Sequence, residues 1–130
     1  MRAYFIYKEF ELNNINSLIL EGIASECKLT DSVNGKVAEF NLKVARHYKR
    51  ANGEWQDEFS DFPCVATNSM AERASKEIYE ERDVRVVGRL KVIRFTDEIG
   101  KLHSKIVVIC EYIEYKYTPD TVSVAEPTEF

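Results

Sequence analysis

Two Asn-Gly pairs enclose the stretch NGKVAEFNLKVARHYKRANG, residues 34–53. An Asn-Gly pair is the strongest short-range signal for a β-hairpin turn, because both of its residues accept positive φ. Every second residue from Ala38 to Val44 is apolar, which predicts a half-buried antiparallel strand. Apolar runs at residues 18–20 and 59–66 lie on either side of the stretch. The sequence therefore predicts three antiparallel strands joined by two tight turns.

A change of period follows the third predicted strand. Residues 69–72, SMAE, have the form of a capping box, in which Ser69 caps backbone N–H groups and Glu72 reaches back. Apolar residues then recur at helical spacing as far as Ile78, with charged residues between them. This pattern predicts one short helix that ends near Glu80 or Glu81.

Two more strands follow the helix. Residues 84–92 alternate in polarity, a turn is predicted at residues 98–101, and residues 103–115 are rich in β-branched and aromatic side chains. The chain is thus predicted to be all-β with one short helix. Three strands, a helix and two strands is the order of the OB-fold, a five-stranded Greek-key barrel with its helix between strands 3 and 4. An SH3-like barrel and a split α+β sheet are alternatives that this order disfavours.

Length and composition indicate one globular domain. The chain has 130 residues, of which 45% are hydrophobic and 31% charged. We place the domain at residues 14–116, between an N-terminal extension at 1–13 and a short, acidic, flexible tail at 117–130. No run approaches the roughly 18 apolar residues of a membrane helix, and the charged residues near the N-terminus argue against a secretory signal. Three cysteines without ligand spacing indicate reduced thiols of a cytoplasmic protein and no metal site.

The distribution of charge is more informative than its sum. The formal net charge is −4, but the last fourteen residues hold three carboxylates and no basic side chain. Basic residues cluster in two stretches: residues 43–50 hold four and no acid, and residues 82–94 hold five against Asp83 alone. The local field, rather than the net charge, decides where a polyanion docks.

Several segments, in this order and spacing, resemble the bacterial single-stranded DNA-binding proteins of the SSB family. The matching segments are INSLILEG at 15–22, GKVAEFNL at 35–42, SDF at 60–62 with PCVA at 63–66, VRVVGRL at 84–90 and FTD at 95–97. The resemblance covers about residues 14–116. This chain is one residue shorter than the family pattern between Phe62 and Pro63, and it has Thr67 where the family often has an aromatic residue.

The resemblance implies sequence-nonspecific binding and protection of single-stranded DNA during replication, recombination and repair. It implies a homotetramer that is cytoplasmic and associated with the nucleoid, with no enzymatic activity and no cofactor. Tyr48, Phe62 and Phe95 align with stacking aromatic residues of the family, and Trp55, which we expect in a loop, is a further candidate. For Phe62 we expect a local bulge to keep the ring in the DNA groove.

Basic residues beside these aromatic residues are the candidates for phosphate contacts. They are Lys43, Arg46, Lys49, Arg50, Arg89, Lys91, Arg94 and Lys101. In the family, an acidic tip ending in phenylalanine docks onto replication and repair proteins, and Glu126, Glu129 and Phe130 are similar to that tip. Residues 4–10, which are rich in aromatic side chains, are a candidate addition to a subunit interface.

Two other functions remain open at this point. The first is a specialised OB paralogue, of the primosome-accessory type, that mainly mediates protein–protein contacts. The shortening after Phe62 and the presence of Thr67 favour it, whereas the Phe130 tip disfavours it. The second is an OB module that binds only protein or sugar, which the two basic clusters disfavour. No nucleophile–base pair, carboxylate dyad or phosphate-cradling loop indicates an enzyme.

Overall fold

The structure, a computed structural model, describes residues 13–116. Over these residues the chain forms five strands and one helix. They are β1 (Leu18–Ser32), β2 (Gly35–Lys49), β3 (Trp55–Thr67), α1 (Asn68–Glu77), β4 (Glu81–Thr96) and β5 (Leu102–Tyr115). The strands close into a barrel in the order β1-β2-β3-β5-β4, in which β3 and β5 are parallel and the other neighbours antiparallel. This topology confirms the predicted OB-fold.

Every strand is longer than its apolar pattern predicted. The β2–β3 ladder runs without interruption from the pair Val37–Thr67 to the pair Lys49–Trp55, so both strands continue past the barrel. Trp55 is therefore the first residue of β3, and its expected place in a loop is wrong. The pattern ended early because the projecting part of a hairpin has two solvated faces and needs no apolar alternation.

The barrel interior is filled by alternate residues of the strands. Ala38, Phe40 and Leu42 of β2 face Cys64 and Ala66 of β3. The other buried residues of the core cluster are Ala24, Ala71, Ala74, Ile78, Val84, Val86, Val108, Cys110 and Ile113. The predicted inward face of β2 is thus confirmed, and α1 covers one end of the barrel with its two buried alanines.

The helix begins and ends earlier than predicted. Thr67 is the N-cap residue without a side-chain capping bond, and the chain leaves the helix at Ile78, whose φ is −105° and ψ is 66°. The prediction of a capping box that starts at Ser69 is therefore wrong. Asn68 enters the helix from positive φ, with its side-chain oxygen packed against Gly35, the first residue of β2, and this contact places the first turn ahead of Ser69. No helix within residues 13–116 is long and apolar enough to cross a membrane.

Two glycines allow neighbouring strands to approach closely. A Cβ on Gly22 would lie 2.1 Å from the carbonyl oxygen of Lys43, and a Cβ on Gly88 would lie 2.2 Å from that of Ile109. Gly88 lies where the β4–β5 register shifts. Any side chain at either position would force the barrel wall apart, so these contacts fix the curvature of the strands that carry the site.

Candidate nucleic-acid interface

The outward face of the β2–β3 hairpin carries two exposed aromatic rings on β3, which alternate with Asp57 and Asp61, and lysines on β2. Beyond the barrel the hairpin forms a projection, residues 44–60, which we call the β2–β3 arm. Ala45 pairs with Phe59 and Lys49 pairs with Trp55, so both aromatic rings share the outward face. Trp55 is 62% exposed and Phe59 61% exposed. The ammonium groups of Lys49 and Lys43 lie 6.0 Å and 5.8 Å from the centroids of these two rings, respectively.

A histidine fixes the orientation of Trp55. The rings of His47 and Trp55 are stacked, with centroids 4.7 Å apart and an angle of 5° between the planes. His47 Nδ1 is hydrogen-bonded to Asp57 Oδ1 at 2.5 Å across the two strands. One face of the indole is therefore covered by imidazole.

The β4–β5 hairpin presents a second aromatic–histidine pair. Its projecting part, residues 89–106, is the β4–β5 arm. Phe95 is 45% exposed and stacks on His103 at a centroid distance of 5.4 Å. His103 Nε2 is hydrogen-bonded to Asp97 Oδ2 at 2.6 Å, and Asp97 Oδ1 accepts the backbone N–H groups of Ile99 and Lys101. The His103 bond, followed by the backbone bonds, lowers the pKa of Asp97, so this carboxylate stays charged and holds the turn.

A groove of about 250 Å³ lies between the outward faces of the two hairpins. Because β3 and β5 pair in parallel at Cys64–Val108 and Val65–Ile109, Pro63 and Val65 lie beside the base of the β4–β5 arm. The lining residues are Glu26, Lys28, Glu39, Phe40, Asn41, Pro63, Cys64, Val65, Ile93, Lys105 and Val107. The floor is apolar and suits flat rings, whereas the two lysines of the lining are balanced by two glutamates, so the groove itself carries no net positive charge.

Most of the predicted phosphate contacts are available for a ligand. Six of the eight basic residues are exposed and form no salt bridge within residues 13–116: Lys43, Lys49, Arg50, Lys91, Arg94 and Lys101. The other two have carboxylate partners, Arg46 with Glu58 at 3.7 Å and Arg89 with Glu111 at 3.5 Å. These two arginines are therefore partly neutralised where they stand.

The structure does not bring the four predicted stacking residues together. Trp55 and Phe95 lie on the outward faces of the two arms. Tyr48 lies on the opposite face of the β2–β3 arm, half-buried, with the Arg46 guanidinium 4.4 Å from its ring centroid. It is thus separated from the Trp55 row by the thickness of the hairpin.

Phe62 faces the core, and its predicted placement in the groove is wrong. It pairs with Leu42 in a β2–β3 ladder that contains no bulge, and it packs against the buried cluster. With an unbroken register, Phe62 has the same parity as the buried residues Cys64 and Ala66. The residue missing before Pro63 is therefore not compensated by a local shift.

Two residues of the site were not predicted from the sequence. Phe59 was assigned to the start of a core strand, and Lys105 was not singled out within β5. The Asn52-Gly53 signal alone would not have found Phe59, because a two-residue turn there sets Ala45 opposite Ser60, whereas the observed loop spans residues 50–54 and sets Ala45 opposite Phe59. Lys105 lies opposite Ile93 and lines the groove, which only the β4–β5 register reveals.

The cysteines lie apart from this surface chemistry. All three are free thiols, as predicted. A hydrogen bond with Cys64 and burial both raise the pKa of Cys110, so this thiol stays protonated in the barrel. Within residues 13–116 no group of His, Cys, Asp or Glu is arranged to hold a metal ion. The tail residues Glu126, Glu129 and Phe130, and the aromatic residues of the segment 4–10, lie outside the described residues.

The chain is similar to known single-stranded DNA-binding proteins. Residues 15–116 match the model of the Single-strand binding protein family. The chain is 38% identical over 77 residues to a single-stranded DNA-binding protein of Aquifex aeolicus (strain VF5). That match covers 59% of this chain and 52% of the relative, so it spans about half the length of the curated protein.

Solved structures show the same fold. The small single-stranded DNA-binding protein from Streptomyces coelicolor superposes with a TM-score of 0.64 at 25% identity, covering 81% of this chain and 96% of that one. A Plasmodium falciparum SSB complex with ssDNA gives a TM-score of 0.70 at 17% identity, covering 82% of this chain and 98% of the other.

Proposed function

Because the chain belongs to the single-strand binding protein family, we propose that it binds single-stranded DNA without sequence preference along the groove between its two arms. The family is one of DNA-binding proteins rather than enzymes, so binding itself is the activity to be explained. Bases stack on aromatic rings and the phosphate chain follows the lysines. We place the protein in the bacterial cytoplasm, on DNA exposed during replication, recombination and repair.

The observation that carries the proposal is the placement of two exposed rings on β3 beside two lysines on β2, on the outward face of the hairpin. Trp55 and Phe59 each have a lysine ammonium near the ring, 6.0 Å and 5.8 Å from the respective centroids, and neither lysine has a salt-bridge partner within residues 13–116. Stacking contributes roughly 1–3 kcal/mol per base and is tolerant of sequence, because every base has a π-face. Phosphate neutralisation adds affinity that falls as the salt concentration rises.

The shape of the surface favours single strands over duplex. The rings project from two hairpins, where they can reach only bases that are not paired and stacked inside a helix. The one helix of the described residues, α1, packs over the end of the barrel. It is therefore not placed to enter the major groove of a duplex.

Titration with fluorescent oligo-dT and with a duplex of equal length tests the proposal. We expect much tighter binding of oligo-dT, with an affinity that decreases linearly on a log–log plot against salt. Equal affinity for the two ligands, or an affinity for oligo-dT that does not depend on salt, would overturn it.

We also propose that the protein acts as a homotetramer. Ile19 and Tyr112 are exposed on the outward face of the sheet formed by β1, β4 and β5, with Val87 paired to both. Exposed apolar area of this kind favours association. Sedimentation of the full chain at several concentrations tests the stoichiometry, and a monomer at all of them would contradict it.

The acidic tail is proposed to recruit replication and repair proteins. Its two carboxylates and terminal phenylalanine suit a basic pocket with an apolar floor. Deleting residues 126–130 should leave oligo-dT affinity unchanged or slightly higher while removing bound partners from a pull-down. The same partners with and without these five residues would contradict this role.

One observation favours a second function, that of a specialised paralogue that mainly contacts proteins. Phe62 faces the core and Thr67 is the N-cap of α1, so two positions that are aromatic platforms in the family supply no exposed ring here. Oligo-dT binding no stronger than duplex binding, together with intact partner capture, would favour this function.

A further inference from the structure

Both histidines of the chain lie in the arms, and each stacks on an aromatic ring. His47 of β2 lies diagonally across the strand pair from Trp55 of β3, whereas His103 of β5 pairs directly with Phe95 of β4. Two hairpins of different sequence thus carry the same arrangement of an exposed aromatic ring and an imidazole.

A carboxylate completes each arrangement. Asp57 Oδ1 accepts a hydrogen bond from His47 Nδ1 at 2.5 Å, and Asp97 Oδ2 accepts one from His103 Nε2 at 2.6 Å. Such a bond at one ring nitrogen fixes the tautomer and the orientation of an imidazole. Each imidazole is therefore held between a carboxylate on one side and an aromatic ring on the other.

The stability of the barrel does not account for these pairs. The side chains of His47 and Asp57 are 64% and 59% exposed, and neither belongs to the core cluster. A bonded pair of exposed polar side chains contributes little to the free energy of unfolding. Its effect is local: an exposed ring such as that of Trp55 loses side-chain freedom when a ligand orders it, and a ring that is already held has less freedom to lose on binding.

We propose that each His–Asp pair positions the aromatic ring beside it, so that the ring is held in the orientation in which a base stacks on it before DNA arrives. The positioning residues are His47 and Asp57 for Trp55, and His103 and Asp97 for Phe95. This inference rests on the proposed binding of single-stranded DNA. It adds residues that act through the rings and need no contact with the DNA themselves.

Fluorescence of the free chain tests whether the ring is held. Trp55 is the only tryptophan of the chain, so its emission reports on this ring alone. His47→Ala should add a fast local component to the decay of tryptophan anisotropy and make quenching by acrylamide more efficient. Gln56→Ala is the matched control, because Gln56 is adjacent to Trp55 in sequence but lies on the opposite face of the arm. Unchanged anisotropy decay in His47→Ala, or the same change in both variants, overturns the proposal.

Oligo-dT titration of the same variants connects ring position to binding. His47→Ala should raise Kd about two- to tenfold, the fold-change that corresponds to ordering one side chain on binding. His47→Phe restores a flat ring against the indole and should recover most of the loss. In a Trp55→Ala background, His47→Ala should have no further effect, because its effect passes through the ring.

Other outcomes of the titration refute the positioning role. An equal loss of affinity with and without Trp55 would assign His47 to direct contact with DNA, and tighter binding by His47→Ala would mean that the imidazole competes with a base. The same cycle with His103→Ala and Phe95→Ala tests the β4–β5 arm by the same criteria. If the unsubstituted chain binds no oligo-dT, the proposed function is wrong and the positioning role falls with it. If oligo-dT binds equally tightly before and after His47→Ala, only the positioning role is wrong.

Discussion

The contrast between Phe59 and Phe62 offers the sharpest test of the site, because the two residues are three positions apart in one strand and face opposite ways. Phe59 is 61% exposed beside Lys43, whereas Phe62 packs against the core opposite Leu42. Phe59→Ala should weaken oligo-dT binding by about 1–3 kcal/mol, the range for one lost base–aromatic contact. At about 1.4 kcal/mol per tenfold, this is a rise in Kd of roughly 5- to 150-fold.

For the free energy of unfolding, the order of the two substitutions should be reversed, with Phe62→Ala having the larger effect. Removing the exposed ring of Phe59 should change the free energy of unfolding by less than about 0.5 kcal/mol. Phe62→Ala should cost about 3 kcal/mol, at the low end of buried Phe→Ala substitutions because the ring is only partly buried. For a domain of about 100 residues, that corresponds to a fall in Tm of roughly 10–20 °C.

Fluorescence anisotropy of labelled oligo-dT and a thermal melt, run on the same preparations, separate the two effects. Phe62→Leu is the matched control, since it keeps the apolar volume in the core and should retain both Tm and affinity more closely than alanine. If Phe62→Ala lost affinity at an unchanged Tm, or Phe59→Ala bound oligo-dT as tightly as the unsubstituted chain, the assignment of the two faces would be wrong.

Three other perturbations have outcomes that follow from the contacts described. Lys43→Ala should reduce the slope of log affinity against log salt by about 0.7, whereas Arg89→Ala should change it less because Arg89 already has a carboxylate partner. The hydrogen bond from His103 lowers the pKa of Asp97, so its stabilising effect is fully present at neutral pH and is lost as the pH falls through that lowered value. The Tm difference between the unsubstituted chain and Asp97→Asn should therefore begin to shrink only below about pH 4, the ordinary pKa of an aspartate, and vanish below the lowered pKa. Gly88→Ala should destabilise the barrel by more than about 2 kcal/mol in urea unfolding, because its Cβ would lie 2.2 Å from a backbone oxygen, and near-native stability would contradict the close approach.

The barrel itself was predictable from local chemistry. The two Asn-Gly pairs located both hairpins, although Gly35 is the first residue of β2 and the β2–β3 loop spans residues 50–54. The alternation from Ala38 to Val44 predicted which side of β2 is buried. These signals depend only on residues that are neighbours in sequence, so they can be recognised without the tertiary structure. The start of the helix was missed because it depends on contact between Asn68 and Gly35, which lie 33 positions apart in the sequence.

The facing of the aromatic residues was less predictable. Tyr48, Trp55 and Phe59 lie in the arms, where both faces are solvated and apolar alternation disappears. Their facing depends on the length of the loop at residues 50–54, which a two-residue Asn52-Gly53 turn would have set wrong by one residue. The resemblance to the family placed Phe62 on the wrong side because a compensating bulge was assumed. Register is a property of the strand pair, and a single-residue difference in one strand inverts it.

The stacked histidines limit how a polymer can be arranged on this protein. With imidazole on one face of Trp55 and of Phe95, neither ring can be inserted between two consecutive bases. Each can accept a neighbour on one side only and therefore terminates a column of stacked bases. If one DNA strand contacted both rings, the bases between them would form a single stacked segment with one ring at each end. The number of nucleotides in that segment would then be fixed by the distance between the two rings.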